Sequence, residues 1–318
     1  MEFEKKLSIG NISQLEKTLK RIHDDGNVKE NNFLDYLIAD RITWHCGGMS
    51  DPFQPVEAKY HITEQIVELS KKYNHSILFS TKSDNLYGCK FDPELHSFQL
   101  SVTNVDNRTD LEPGVPSIKS RKKLFDDLKS QGYKVGIRVQ PFIPGVTDTR
   151  VVEMFEDADH FTIEGLKLVP QNKEHTQQTL AATGLSKDMF TQMGLLNLRP
   201  EIRLEYYKEF INALEQKHIP YSLADNDLHH IGCGNCCCGA SLVKKSTKFN
   251  NTRLCYDYDI DYTIGDLYAS LGQYRDCKVK NLFTSNRTEG CETVWDFYQI
   301  RFNRKSSPFS PEFLYKEE

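Results

Sequence analysis

The sequence predicts an α/β fold of parallel strands and crossover helices that ends in a Cys-rich C-terminal extension. Helical and strand-like periods alternate from Leu15 to Leu223. Successive strand candidates end in polar or glycine residues, as an active face at the C-terminal side of a β/α barrel requires. The alternation stops near Gly232, where Cys233, Cys236, Cys237 and Cys238 crowd together. Parallel neighbours need a crossover, which is why alternation reads as β-α units.

Leu15, Leu19 and Ile22 recur at i, i+4, i+7 and mark a first helix capped by Asn11 or Ser13. Ile42 to Cys46 is a β-rich run stopped by Gly47-Gly48. Ile62, Ile66 and Leu69 form the next helical stripe, and Ser76 to Ser80 and Phe98 to Val102 read as strands. After Pro113-Gly114, Leu124, Phe125 and Leu128 lie on a helix capped by Ser117. Gly132 breaks the chain before a strand from Lys134 to Val139, and Phe161-Thr162-Ile163 opens another. The stretch from Pro170 to Pro200 is polar and aperiodic, an excursion with a short helix. Leu204, Tyr207, Phe210, Ile211 and Leu214 make a long amphipathic helix, followed by the strand Tyr221-Ser222-Leu223. Residues 1–230 are read as the barrel and 231–318 as the extension.

Apolar residues make up 38% of the 318 positions and charged ones 27%, the balance of a globular protein. The 40 Lys+Arg and 45 Asp+Glu leave a net charge of −5, so a nucleic-acid partner needs a local basic patch. No stretch approaches the ~20 apolar residues that cross a bilayer, and Met1 to Lys6 lacks the apolar core of a secretion signal. A cytoplasmic location is expected. The nine cysteines, an odd number, argue for thiols or metal ligands over disulfides.

The strand ends supply the candidate site. They are Gly47-Gly48-Met49-Ser50-Asp51, Thr81-Lys82-Ser83, Ser101 with Thr103 and Asn104, Arg138 with Gln140, Glu164, and Asp225-Asn226-Asp227. Lys82 neutralises a carboxylate or phosphate there, or is a solvated loop lysine. Arg138, inside an apolar strand, requires a partner: a ligand carboxylate, Glu112 or Glu164. Gly47-Gly48 lets backbone approach a ligand, or is an ordinary turn.

Gly48-Met49-Ser50-Asp51-Pro52-Phe53-Gln54-Pro55-Val56-Glu57, Thr81-Lys82-Ser83, Ser101-Val102-Thr103-Asn104, Leu111-Glu112-Pro113-Gly114, Arg121, Gly132-Tyr133 and Arg138 to Gly145 form an ordered series. It resembles the radical S-adenosylmethionine proteins often labelled DNA repair photolyases and, more distantly, spore photoproduct lyase. The resemblance covers Asn11 to Gly165. It implies a partial (β/α)6 TIM-type barrel, with the first strand and cluster loop missing, that carries S-adenosylmethionine and a [4Fe–4S] cluster. It also implies cleavage of the cofactor to a 5′-deoxyadenosyl radical, with a nucleic-acid lesion as substrate. Lys82 and Ser101 sit where the lyase contacts its cofactor; Asp51, Thr103, Asn104 and Arg138 belong to the same face.

Two departures accompany it. The family's C-x3-C-x2-C spacing occurs nowhere in these residues, so the cluster would have to come from an upstream fragment carrying that motif, or the chemistry has been lost. The lyase's hydrogen-donor cysteine falls on Gly48 here; Cys46 is a substitute donor or a structural thiol.

Cys233 and Cys236 have C-x2-C spacing. With Cys237 or Cys238, and with Cys255, Cys277, His229 or His230, they suit zinc or an auxiliary Fe–S cluster; reduced thiols in a turn are the plain alternative. Lys244, Lys245, Lys248 and Arg253, with Tyr256 and Tyr258, form a run that grips phosphates or is solvated surface. Three functions follow. The first is a radical photolyase-like protein, inactive alone unless complemented; the second is a non-enzymatic, metal-clamped module binding nucleic acid or protein on a degenerate barrel. The third is an unrelated barrel enzyme using Asp225, Asp227 and Glu164. An incomplete barrel is further expected to expose an apolar strand edge near Ile42 or Tyr221.

Overall fold

The computed structural model of the chain describes residues 10–48, 50–193, 195–225, 228, 231–232, 239–245, 264–279 and 290–302. Six strands form one parallel sheet in the order β1 (Trp44–Cys46), β2 (Ile77–Thr81), β3 (His96–Ser101), β4 (Lys134–Phe142), β5 (Phe161–Gly165) and β9 (Tyr221–Leu223). Each pairs in parallel with the next, and the order follows the chain, as in a partial β/α barrel.

Local sequence sets the crossovers. Helix α1 (Ile12–His23) starts at Asn11, whose side chain accepts from the Gln14 amide at 3.0 Å, which settles the cap in favour of Asn11. Helix α2 (Phe33–Ala39) has no counterpart in the periodicity reading. Asn32 caps it by accepting from the Asp35 amide. A single turn, α3 (Glu57–Tyr60), precedes α4 (Ile62–Tyr73), which ends at Asn74 in the left-handed region. Helix α5 (Ile118–Ser130) is capped by Ser117, α6 (Arg150–Met154) joins β4 to β5, and α8 (Pro200–Gln216) joins β5 to β9. Strand alternation sends Phe79, Phe98, Val135, Ile137, Phe161 and Ile163 to the helix side, where Phe125 and Phe210 complete a continuous core.

The excursion from Pro170 to Pro200 is more ordered than its polarity suggests. Helix α7 (Lys173–Thr183) is followed by β7 (Phe190–Met193) and β8 (Leu195–Leu198), an antiparallel pair. That pair extends through β8 to the short strand β6 (Lys167–Leu168), and the sheet buries its own cluster around Leu168, Phe190, Leu196 and Leu198.

Residues 239–245 run as a strap beneath the strand beginnings, from β5 to β1. Gly239 lies against His160. Ser241 Oγ donates to the Asp159 carbonyl at 3.0 Å and therefore accepts from His160 Nδ1 at 2.9 Å. Lys134 Nζ reaches the Ser241 carbonyl, and Ser97 Oγ donates to the Leu242 carbonyl at 2.7 Å. At the far end the Thr43 amide donates to the Lys245 carbonyl, and the Lys245 amide to Thr43 Oγ1. At the opposite edge Ser222 of β9 bridges Gly232 antiparallel. The edges expected to lie bare near Ile42 and Tyr221 are thus partly covered by the chain's own C-terminal part. Helices Ile264–Leu271 and Val294–Phe302 belong to a cluster in which Leu271, Cys277 and Val294 meet Phe33 of α2.

Gly136 makes room for the strap. A Cβ there would meet Leu242 Cδ1 at 2.5 Å and the His160 carbonyl oxygen at 2.9 Å. Gly136→Val is expected to cost about 1–3 kcal/mol by overpacking, read as a lowered thermal midpoint. Adding Leu242→Ala should return only part of the loss, because the carbonyl cannot retreat. A Gly136→Val protein as stable as wild type would show that the strap does not bear on β4. Among the described residues no helix is long and apolar enough to cross a membrane.

Candidate functional site

The C-terminal ends of β1 to β4 carry one connected set of polar groups. Asp51, in the turn after β1, accepts at Oδ1 from the Phe53 amide (2.9 Å) and Thr81 Oγ1 (2.7 Å), and at Oδ2 from the Lys82 amide (2.7 Å). Its carboxylate therefore clamps the β1 turn onto the end of β2. Lys82 Nζ pairs with Glu112 at 2.6 Å, and the other Glu112 oxygen lies 3.8 Å from Arg121. Arg121, on α5, donates to the Ser101 carbonyl at 2.5 Å and is buried, which pulls its guanidinium below the usual arginine value. Asp51, Lys82, Glu112, Arg121 and Ser101 thus form one string across three strand ends, and Ser101 stands in register with Arg138 on β4.

Lys82 is the outermost member, its side chain 37% exposed against 8% for Glu112. It can swing to a ligand anion while Glu112 keeps Arg121 beside it. Thr103 is fully buried; its carbonyl accepts from Thr147 Oγ1, yet its own Oγ1 meets no partner among the described residues. Asn104 spends its side-chain oxygen on the Asp106 and Arg108 amides, so it shapes the loop after β3.

A second set lines the concave face of the sheet. Ser80 Oγ donates to Gln99 Oε1 at 3.0 Å and so accepts from His45 Nε2 at 2.8 Å. Gln99 in turn donates to Thr162 Oγ1 at 2.8 Å and accepts from Arg138 at 3.3 Å. Arg138 also donates to Gln140 and lies 3.5 Å from Glu164; Gln140 and Lys167 both donate to Glu164. Of the partners open to Arg138 in the sequence, Glu164 is the one it meets, and Glu112 goes to Lys82. The pKa of His45 is lowered, first by the packing around its ring and then by the Arg138 charge.

Cys46 alternates with His45 and packs against the apolar core, where burial pushes its thiol up to about 11; Asp51 and Glu57 add to the shift. It is a protonated thiol on the helix side of β1. Gly47, at φ +118°, lies so close to the Ser80 carbonyl that a Cβ there would overlap it. Asp225 is buried: it accepts from Tyr207 Oη and the Gly165 amide and pairs with Arg203 at 2.8 Å. That leaves it a structural anchor, unlike the acid or base of the third reading. Asp227 and Cys233, Cys236, Cys237 and Cys238 lie outside the described residues. Among the described residues no three Cys, His, Asp or Glu side chains gather as a metal site.

His45, Ser80, Gln99 and Lys167 went unread as site residues in the sequence. A period-two reading of the buried strands would have placed Ser80 and Gln99 together on the face away from Phe79 and Phe98.

No family model matches the chain, and no curated protein sequence matches it. Among solved structures it is similar to spore photoproduct lyase complexed with a dinucleoside spore photoproduct, at 16% identity and a TM-score of 0.48. The match covers 67% of this chain and 66% of that one. It is also similar to a spore photoproduct lyase variant with bound AdoMet and dinucleoside spore photoproduct (16% identity, TM-score 0.48, 67% of this chain and 66% of that one). A further match is Streptococcus suis SuiB bound to S-adenosylmethionine, at 12% identity and a TM-score of 0.43, covering 70% of this chain and 44% of that one. The chain therefore spans just under two thirds of the lyase it is similar to.

Proposed function

We propose that this chain is the cofactor-holding part of a radical S-adenosylmethionine photolyase-like protein, with S-adenosylmethionine bound over the ends of β1 to β4. The observation that carries the reading is the string Asp51–Lys82–Glu112–Arg121–Ser101 with Arg138 in register beside it. These are the residues on which the sequence resemblance rests. The residues fit the cofactor's polar half. Lys82 can reach its carboxylate and Glu112 can take its amino group. When reduced at a cluster, the cofactor supplies a 5′-deoxyadenosyl radical. This chain's own part is to orient and to keep water away.

The donor set for a [4Fe–4S] cluster does not fit the described residues. Cys46 and Cys89 are half-buried thiols pushed up to about 11 and about 12, and C-x3-C-x2-C does not occur in the sequence. No radical step is derived from these residues, and a separate segment carrying the motif is part of the proposal, as is a nucleic-acid substrate. Zinc or an auxiliary Fe–S cluster at Cys233, Cys236, Cys237 and Cys238 belongs to it too. The flanking residues are held, Gly232 on β9 and Gly239 against His160. Cys236→Ala should then lower the metal content of purified protein.

The saturated pairs Lys82–Glu112 and Arg138–Glu164, with the missing cluster ligands, favour a second reading: a non-enzymatic module binding nucleic acid or protein. Calorimetry separates them. S-adenosylmethionine should bind saturably to wild type, and Lys82→Met should weaken it at least tenfold, about 1.4 kcal/mol or more. Arg138→Met should do likewise. Wild-type protein that takes up no S-adenosylmethionine would sink the first reading.

A further inference from the structure

A half-open pocket of about 240 Å³ lies at the other end of the strands, between their first residues and the strap. Thr43, Ser76, Glu94, His96, Ser97, Lys134, Leu242 and Lys244 line it. Strand β3 separates it from the rim by about 16 Å, five strand rises.

Its polar groups are mostly donors. Lys244 Nζ gives one hydrogen to the Glu94 carbonyl at 2.9 Å, and Lys134 Nζ gives one to the Ser241 carbonyl at 3.2 Å. Neither ammonium has a carboxylate within ion-pair distance among the described residues, so each keeps two N–H groups to give. Thr43 Oγ1 and Ser76 Oγ lie 2.7 Å apart and share one hydrogen. The Lys245 amide already donates to Thr43 Oγ1, so whichever hydroxyl donates within the pair, the other has a hydrogen to spend elsewhere. His96 adds neither charge nor a donor. Its Nδ1 accepts from the Asp92 amide, and its Nε2 donates to Ser70 Oγ, which itself donates to the Val67 carbonyl. Among the described residues Glu94 is the one carboxylate on the wall, against two ammoniums. Pro93, Leu95 and Leu242 provide an apolar side.

A ligand that suits this wall is all acceptor at one end and organic at the other. We propose that the cavity is a binding site for a small phosphate monoester, its phosphoryl oxygens held by Lys134, Lys244 and the Thr43–Ser76 pair. A phosphoryl group alone leaves much of the volume unused, and an attached sugar-sized group has Leu95 and Leu242 to lie against. The site is independent of the rim. A ligand here would tie the strap to β3 and β4 and raise the thermal midpoint by mass action. The basic run that begins at Lys244 and Lys245 thereby gains a local role.

The test is calorimetry and thermal denaturation at fixed ionic strength with three probes: adenosine monophosphate, inorganic phosphate and a short single-stranded oligonucleotide. The proteins are wild type, Lys134→Gln/Lys244→Gln, and Lys187→Gln as an exposed-lysine control. Adenosine monophosphate should bind wild type and the control saturably and raise their midpoints, and the double variant should lose at least tenfold in affinity. Inorganic phosphate should bind more weakly. No saturable binding by wild type, or undiminished binding by the double variant, overturns the site. Inorganic phosphate binding as tightly as the nucleotide overturns the ester assignment, and so does an oligonucleotide that binds where the mononucleotide does not.

Discussion

Asp225→Ala should be the most damaging single substitution in the sheet, costing about 3–5 kcal/mol, the range for breaking a buried ion pair from one side. The Asp225 carboxylate is 1% exposed and is engaged by Arg203, Tyr207 and the Gly165 amide. Removing it takes the carboxylate partner from a guanidinium in the core, where Arg203 is itself 4% exposed. It also frees the Tyr207 hydroxyl, whose pKa stands well above its usual value because of burial and this carboxylate. Asp225→Asn keeps a hydrogen-bond acceptor while losing the charge, and should fall between the two. Urea unfolding measures all three proteins. An Asp225→Ala midpoint indistinguishable from wild type would mean that α8 is not fastened to the sheet in this way.

Acid should destabilise the protein well before its carboxylates titrate. His75, His96 and His160 are buried, and burial lowers their pKa values to about 3, about 4 and about 4. His23 and Arg41 add to the shift at His75. The hydrogen bonds of His96 and His160 suit neutral rings, and His75 stacks on Trp44 with its Nε2 only 2.8 Å from that of His23. Two protonated rings could not share that contact. In the unfolded chain each titrates near 6.5, so between about 6.5 and 4 the unfolded state binds more protons and stability falls with pH. Three such groups give a slope of up to about 4 kcal/mol per pH unit near pH 5.5. Above 6.5 the contribution is complete and flat. Unfolding free energies taken from pH 8 to 5 test this, and a level profile over that range would refute it.

Much of the sheet could be read from the sequence because its strands are buried on both sides and bounded by Gly47-Gly48, Gly132 and capping residues such as Ser117. The polar strand ends were readable for the same reason: in parallel units every strand exits on one side. Other parts depend on tertiary contact. Helix α2 is short, and its partners, Leu271 and Val294, lie far along the chain. The Phe190–Leu198 hairpin has too few residues for a period, and its core exists only once Leu168 joins it. His45 escaped because β1 is three residues long, so no alternation could tell it from Cys46. The strap has no local signature. Gly239 to Lys245 is placed by hydrogen bonds to residues some 80 to 200 positions away.

That last feature has a consequence for how such a chain behaves outside its folded state. An open sheet invites recruitment of foreign strands, and here the guards on its two flanks are made only after all six of its strands. Until Gly232 and Lys245 are made, a nascent chain holds two unguarded ladders. A product shortened before them should accumulate as insoluble assemblies, however sound its core.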